Sequence, residues 1–130
     1  VAAVVMFATG NPFFTGNYSA DVFRSVRANA ALDAVPDGCR IYSNLPNGLY
    51  PRLEARWSPR RTGLESNERV PELRDITRTL GSTPSCLVWI DQPPRYGHLW
   101  SLAELRRRLR LVQLAARGDV VVYRMLPPSG

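Results

Sequence analysis

Apolar residues recur at the three- and four-residue spacing of an amphipathic helix in three segments of the chain. The residues in phase are Phe23, Val26 and Ala30 in the first segment, Leu73, Ile76 and Leu80 in the second, which begins at Val70, and Leu102, Leu105 and Leu109 in the third. Ser19 is a favoured N-cap for the first helix, and Ser101 with Glu104 forms a capping box for the third. Pro36-Asp37-Gly38 ends the first helix and Gly81 ends the second. The pattern predicts three helices.

Short runs of β-prone residues lie between these helices. Residues 39–44 and 86–91 have the length of strands, and the second run is apolar at successive positions up to Asp91. Because such a run has no polar face, we expect sheet neighbours and helices to cover both of its sides. Residues 111–114 and 120–125 flank the turn-like Arg117-Gly118-Asp119 and predict an antiparallel hairpin.

The alternation of strands and helices favours right-handed crossovers between parallel strands. We therefore predict an α/β fold, a small Rossmann-like three-layer domain whose mostly parallel sheet ends in an antiparallel hairpin. A short helix is expected from Pro46. Residues 57–69 are rich in Arg, Ser, Pro and Gly, so a loop is expected there, with room for one edge strand.

One domain is predicted over residues 19–126, followed by a short tail, 127–130. Residues 1–18 are interpreted as the stub of a preceding membrane helix and a linker, with a first strand as the alternative. The opening run VAAVVMFA is far shorter than the roughly 20 residues that a membrane-spanning helix needs. It also lacks the basic region and small-residue cleavage site of a signal peptide.

The composition is that of a folded globular protein, with 130 residues, 45% apolar residues and a mean hydropathy of −0.20. The formal net charge is +6, and all 17 basic residues are arginine. An arginine-only, alanine-rich composition is typical of a GC-rich genome, which weakens the case for nucleic-acid binding from charge alone. Attraction to anionic lipid head groups, about 1 kcal/mol for each basic residue near a membrane, is a competing explanation.

Residues for catalysis or metal binding are scarce in this sequence. The one histidine, His98, lies in a predicted loop, and no serine or cysteine has the context of a nucleophile elbow. Two cysteines and one histidine do not make a zinc site. The chain also has no GxGxxG or GxxxxGK[ST] motif. We therefore predict no catalytic residue, metal or cofactor on this chain.

The best polar candidates for a ligand site lie where the two central strands end. Asn44 and Asp91 each follow a predicted strand, and open α/β sheets bind ligands at that edge. Asn47 and Tyr50, in the segment after Asn44, complete the candidate set. In the alternative interpretation, Asn44 caps the following helix and Asp91 caps a turn.

Aromatic and basic side chains are further candidates for contact with a ligand. Trp89 lies in the apolar strand and is expected in the core. Trp57 and Trp100 remain open to membrane-interface contact, sugar stacking or half-buried packing. The arginines of the third helix are interpreted as a solvated face rather than a ligand site; they are Arg106, Arg107, Arg108 and Arg110.

The two cysteines occupy the same place at the start of the two central strands. Neighbouring strands lie about 4.8 Å apart, within the Cα separation that a disulfide accepts. We predict a disulfide between Cys39 and Cys86, which requires an oxidising compartment, with two buried thiols as the alternative.

The segment Ile41-Tyr42-Ser43-Asn44-Leu45-Pro46-Asn47-Gly48-Leu49-Tyr50 resembles the segment that opens the soluble C-terminal domain of many bacterial GT-C type membrane glycosyltransferases. These enzymes are the relatives of protein mannosyltransferases and aminoarabinose transferases. The resemblance continues through Arg56-x-x-Pro59, the helix over 73–80, the strand at 87–89 and the strand at 121–124. It covers the chain from about residue 20 onward. Each motif is short, and their order and spacing carry the resemblance.

The resemblance implies a parent enzyme that transfers a sugar from a polyprenyl-phosphate carrier to an acceptor outside the cytoplasm. In that family the catalytic acidic residue lies in a loop between membrane helices, so no catalytic residue carries over to this chain. Pro51 departs from the family pattern, because a helix-compatible residue is commoner there.

We accordingly expect an accessory, non-catalytic domain on the extracytoplasmic face of the bacterial cell membrane, which positions the acceptor or shields the membrane-embedded site. Its expected partners are the membrane-embedded part of the parent protein, a cell-envelope glycan and anionic lipid head groups. Two alternatives remain: a freestanding α/β domain that binds a small ligand at the edge formed by Asn44 and Asp91, and a basic nucleic-acid-binding module.

Overall fold

A computed structural model describes residues 21, 23–60, 71–91 and 99–128 of the chain. These residues form a mixed α/β fold around a five-stranded sheet. The strands are β1 (Arg40–Ser43), β2 (Ala55–Trp57), β3 (Ser85–Ile90), β4 (Arg110–Arg117) and β5 (Val120–Leu126). The helices are α1 (described residues 21 and 23–27), α2 (Leu73–Thr79) and α3 (Leu102–Arg108), with 3-10 turns at Ala30–Ala34 and Pro46–Gly48.

The strands are ordered β2-β1-β3-β5-β4 across the sheet. β1 runs parallel to both β2 and β3, whereas β5 runs antiparallel to both β3 and β4. Four strands therefore run in one direction and only β5 opposes them among the described residues. The predicted α/β class, with a mostly parallel sheet that ends in an antiparallel hairpin, is confirmed.

Successive residues of β3 point into two separate apolar clusters, one on each face of the sheet. Val88 and Ile90 join α1 and the first 3-10 turn through Val26 and Leu32. Leu87 packs on the other face with residues of α2, α3 and β5, namely Ile76, Leu105, Tyr123 and Met125. The run of apolar residues in β3 thus reflects burial on both sides, as expected.

Trp89 departs from its predicted place in the core. It is only half-buried and packs at the margin of the second cluster, among other partly buried side chains. Trp57 and Trp100 are half-buried as well. The apolar neighbours of a tryptophan in the sequence therefore did not determine how deeply its large ring is buried.

The prediction of one continuous first helix is wrong. The helix stops before Asn29, whose side-chain oxygen accepts a hydrogen bond from Ala31 N at 2.8 Å and so caps the 3-10 turn. The Asn29 amide also donates to the carbonyl oxygen of Arg117 at 2.8 Å. The Asn29 side chain thus satisfies a backbone donor at the start of the 3-10 turn and ties this break to the hairpin.

Two other local signals, the capping box and the hairpin turn, are confirmed. Ser101 and Glu104 form the predicted capping box, with backbone-to-side-chain hydrogen bonds of 3.0 and 3.2 Å. The hairpin turns at Gly118, whose φ of +57° lies in the left-handed region that glycine adopts without steric cost. β4 contains a bulge at Leu114, because Gln113 pairs with Tyr123 while Ala115 pairs with Val122.

Several predictions lie outside the described residues. They are the stub and linker at 1–18, the N-cap at Ser19, the start of the second helix at Val70, most of the loop over 57–69, the loop around His98 and the end of the tail. Within the described ranges, no helix has both the length and the apolar character needed to cross a membrane.

Arg52 holds the segment after β1 against the first helical region. Its guanidinium donates to the carbonyl oxygen of Arg27 at 2.6 Å and to that of Asn29 at 3.0 Å. It also contacts the carboxylate of Asp33. A cation beside the carbonyl groups at a helix C-terminus is favoured by hydrogen bonding and by the helix dipole.

Replacing Arg52 with alanine should lower the free energy of unfolding by about 1–2 kcal/mol, since it removes charge-assisted hydrogen bonds to two carbonyl groups. Arg56→Ala is the matched control, because Arg56 is exposed on β2 and loses the same charge. That variant should change stability by less than about 0.5 kcal/mol. Urea unfolding of the three proteins measures the difference, and equal losses in both variants would contradict the assigned role of Arg52.

Candidate functional site

Asn44 links the ends of the two central parallel strands. Its side-chain amide donates to the carbonyl oxygen of Ile90 at 2.7 Å, and Ile90 N donates to its side-chain oxygen at 2.9 Å. The side chain therefore continues the pairing of β1 with β3 as a backbone amide would. The predicted helix cap is wrong, because the following turn has no side-chain cap from Asn44; the hydroxyl of Ser43 accepts from Leu45 N instead.

The other strand-edge candidates lie around this linkage. Asp91 is exposed directly after Ile90, and its backbone nitrogen donates to the carbonyl oxygen of Asp119 at 2.8 Å. Asn47 is exposed in the second 3-10 turn, and Tyr50 follows it with 62% of its surface accessible. The structure thus brings Asn44 and Asp91 together at one sheet edge, while Asn47 and Tyr50 lie on the adjoining turn.

Asn44→Ala should lower the free energy of unfolding by about 1–3 kcal/mol, because both backbone groups of Ile90 lose their partner. Asn47→Ala, which changes an exposed residue three positions away, should stay within about 0.5 kcal/mol of the parent. Thermal or urea unfolding of the two variants gives the comparison. If Asn44→Ala unfolded like the parent, the amide would be free for a ligand rather than needed by the sheet.

The two cysteines lie on the same face of the sheet, but not at equivalent positions. In the register of the sheet, Cys86 of β3 pairs with Ile41 of β1. Cys39 lies before β1, whose first residue, Arg40, pairs with Ser85. The two residues are therefore offset by two positions, which corrects the assumption behind the predicted disulfide. Both thiols are free, with Cys86 buried and Cys39 half-buried. The disulfide itself stays a prediction.

Burial raises the pKa of the Cys86 thiol to about 12, with further contributions from a hydrogen bond with Cys39 and from the charge of Cys39. Arg124, which pairs with Cys86 across the sheet, acts in the opposite direction. The Nε atom of Arg124 is buried and has no hydrogen-bond partner among the described residues. As a thiol, Cys86 therefore stays protonated at neutral pH, which disfavours the nucleophilic thiolate form.

This shift predicts how stability depends on pH in alkaline solution. From about pH 9 to about pH 12 the unfolded chain loses the Cys86 proton while the folded chain keeps it. The contribution of Cys86 to the free energy of unfolding is therefore fully present below about pH 9. It falls by about 1 kcal/mol per pH unit as the pH rises from there to about 12. Cys86→Ala should unfold with a shallower alkaline dependence than the parent in parallel urea titrations. Identical slopes would show that Cys86 does not hold its proton.

A separate concave site lies between α2 and α3, in a cavity of about 460 Å³ that we name the arginine groove. It is lined by residues from α2, from the segment before α3 and from the end of α3, namely Leu73, Arg74, Thr77, Arg78, Trp100 and Arg108. Both helices pack on the same face of the sheet through Ile76 and Leu105. The sheet therefore fixes the two walls of the groove.

Two arginines of the groove have carboxylate partners, one at the N-cap of α2 and one within α2. Arg74 Nε lies 3.0 Å from Glu72, which also faces Arg60 at 3.5 Å. Arg78 lies 3.8 Å from Asp75, the distance of a weak ion pair. The side chains of Arg74 and Arg78 are 74% and 73% exposed, so solvent screens both pairs and an incoming anion can reach both guanidinium groups.

Arg108 is held in a different way. Its guanidinium carbon lies 5.1 Å from the centre of the Trp100 ring, a cation–π contact. Arg106 lies 5.5 Å from the ring of Tyr123 and donates to its hydroxyl at 2.6 Å. All four arginines of the predicted solvated face, Arg106, Arg107, Arg108 and Arg110, are exposed, but the prediction missed these two aromatic contacts.

Comparisons with protein-family profiles, curated proteins and solved structures find no match for this chain. Among the described residues, no group of three or more His, Cys, Asp or Glu side chains is placed to hold a metal ion. The chemistry of the site is therefore argued from its own residues. Within the described ranges the arginine groove is a concave surface that presents several guanidinium groups together.

Proposed function

We propose that the chain is an accessory, non-catalytic domain of a GT-C type membrane glycosyltransferase that uses a polyprenyl-phosphate sugar. In this proposal the domain has the Rossmann-like three-layer form and lies on the extracytoplasmic face of the bacterial cell membrane. Its basic surface faces anionic lipid head groups or a cell-envelope glycan, and it helps to position the acceptor for the membrane-embedded part of the parent protein.

The observation that carries the proposal is the place of the resembling segments in the sheet. Residues 41–43 lie in β1, residues 87–89 in β3 and residues 121–124 in β5. These three strands are direct neighbours at the centre of the sheet. Short motifs far apart in sequence are thus parts of one structural unit, which supports treating them as a single resemblance.

The polar groups of the described residues support a role in recognition. Asn44, at the edge where α/β sheets bind ligands, has its amide engaged with the backbone of Ile90. The arginine groove, by contrast, opens to solvent with guanidinium groups on two walls. This arrangement suits the binding of an anion better than acid–base chemistry.

A freestanding domain that binds a small ligand at the Asn44 edge is less well supported. Such a ligand would have to compete with hydrogen bonds of 2.7 and 2.9 Å that join β1 to β3. A nucleic-acid-binding module is the remaining alternative, and it has in its favour only the net charge of +6. An affinity for nucleic acid whose logarithm fell linearly with the logarithm of the salt concentration would support this alternative.

The complete reading frame that encodes the chain tests the proposal. We expect several apolar segments of about 20 residues before Val1, with acidic residues in an early loop between them. Sequencing the gene and its transcript gives the answer directly. An initiator methionine immediately before Val1 would overturn the proposal and leave the freestanding domain as the account to pursue.

A further inference from the structure

We propose that the arginine groove is a binding site for a phosphate monoester group. The inference deepens the proposed recognition role, and it depends on that role only for the biological source of the ligand. The site is distinct from the strand edge at Asn44 and Asp91, because its walls are α2 and α3.

The first argument is the convergence of guanidinium groups. Arg74 and Arg78 lie one helical turn apart on α2, and Arg108 reaches the same cavity from the end of α3. Guanidinium groups from two helices can approach a tetrahedral phosphate from different directions. Each offers several N–H donors in a planar fork, which matches the oxygen atoms of a phosphate.

The second argument is that one of these groups is oriented before any ligand arrives. Arg108 lies on the Trp100 ring at 5.1 Å and has no carboxylate partner among the described residues. Stacking uses the face of the guanidinium and leaves its N–H edge available for an anion. Because less side-chain entropy is lost when an oriented group binds, Arg108 should contribute more than a mobile arginine.

The third argument is charge balance. Three guanidinium groups line the groove, those of Arg74, Arg78 and Arg108, and two carboxylates, those of Glu72 and Asp75, pair with the first two of them. Positive charge therefore exceeds negative charge around the groove, which favours an anion. A phosphate monoester presents several charged oxygen atoms to guanidinium groups on both helices, whereas a single carboxylate presents two.

The fourth argument is the size and nature of the cavity. A volume of about 460 Å³ accommodates a small organic group as well as the phosphate itself. Leu73 and the half-buried Trp100 supply apolar surface beside the arginines. The phosphate can belong to a water-soluble ester or to a lipid head group, since both present the same dianion.

Calorimetric titration of the 130-residue chain with glycerol 3-phosphate at low salt tests the soluble source, and sedimentation with vesicles of phosphatidylcholine containing phosphatidic acid tests the lipid source. Pure phosphatidylcholine vesicles are the background. The variants are Arg108→Ala and Arg78→Ala, with Arg108→Lys to keep the charge while removing the planar fork. Arg107→Ala is the matched control, because Arg107 is exposed on the same helix and does not line the groove.

We expect saturable binding by the parent chain, and a weakening of about ten-fold or more in Arg108→Ala, as the loss of a charge-assisted hydrogen bond implies. Arg78→Ala should weaken binding in the same direction, Arg108→Lys should fall between parent and Arg108→Ala, and Arg107→Ala should stay within about two-fold. Binding of the soluble ester identifies a water-soluble ligand, and binding of phosphatidic acid vesicles alone identifies a lipid head group.

The proposal is overturned if neither probe binds, or if Arg107→Ala weakens binding as much as Arg108→Ala does. The second result would mean that overall charge, rather than the groove, attracts the anion. Unfolding curves of each variant ensure that a loss of binding is compared between folded proteins. The outcome is separable from the membrane proposal, because the reading frame decides that question and leaves the groove measurement unaffected.

Discussion

The burial of β3 on both faces is the constraint on which the rest of the structure depends. Five of its six residues are buried, and β1 and β5 occupy its two edges. A strand with no solvent-facing side needs an apolar layer above and below it, since exposed apolar surface costs free energy in proportion to its area. α1 and the first 3-10 turn supply one layer, and α2 and α3 supply the other.

This constraint also explains why parts of the fold could be predicted from sequence. The successive apolar residues of β3, the capping box at Ser101 and the glycine of the hairpin turn are local signals whose physical causes lie within a few residues. The break at Asn29 is different. Its partners include Arg117, 88 positions away, and Arg52, 23 positions away. No local pattern reports a hydrogen bond over such a separation.

The candidate sites likewise combine features with local sequence signals and features that depend on residues far apart in sequence. The sequence placed Asn44 at the end of a strand, but its amide partner lies 46 residues away, so the role of its side chain could not be derived. The arginine groove depends on which arginine of α3 meets Trp100, and helical periodicity alone does not determine that contact. The two strand runs were correctly predicted to be neighbours in the sheet, whereas the offset between Cys39 and Cys86 depends on the register of β1 against β3.

Arginine performs several tasks in this chain that lysine would do less well. Arg52 binds two carbonyl groups at once, and Arg106 and Arg108 lie on aromatic rings. Planar, weakly hydrated guanidinium groups combine stacking with hydrogen bonding, which an ammonium group does not. The arginines of this chain therefore have structural roles as well as contributing charge. The contacts of each arginine, rather than the net charge of +6, therefore explain what these residues do in the structure.

The bulge in β4 has a consequence for the behaviour of the protein in concentrated solution. β4 is the long outer strand of the sheet, and Val112 and Leu114 are exposed on it. Such a strand is a template for edge-to-edge association with another copy. The extra residue at Leu114 interrupts the regular ladder, and full-length antiparallel pairing would set Arg110 against Arg117 of the second copy. The bulge and the repulsion between these arginines both disfavour pairing of β4 with β4 of a second copy.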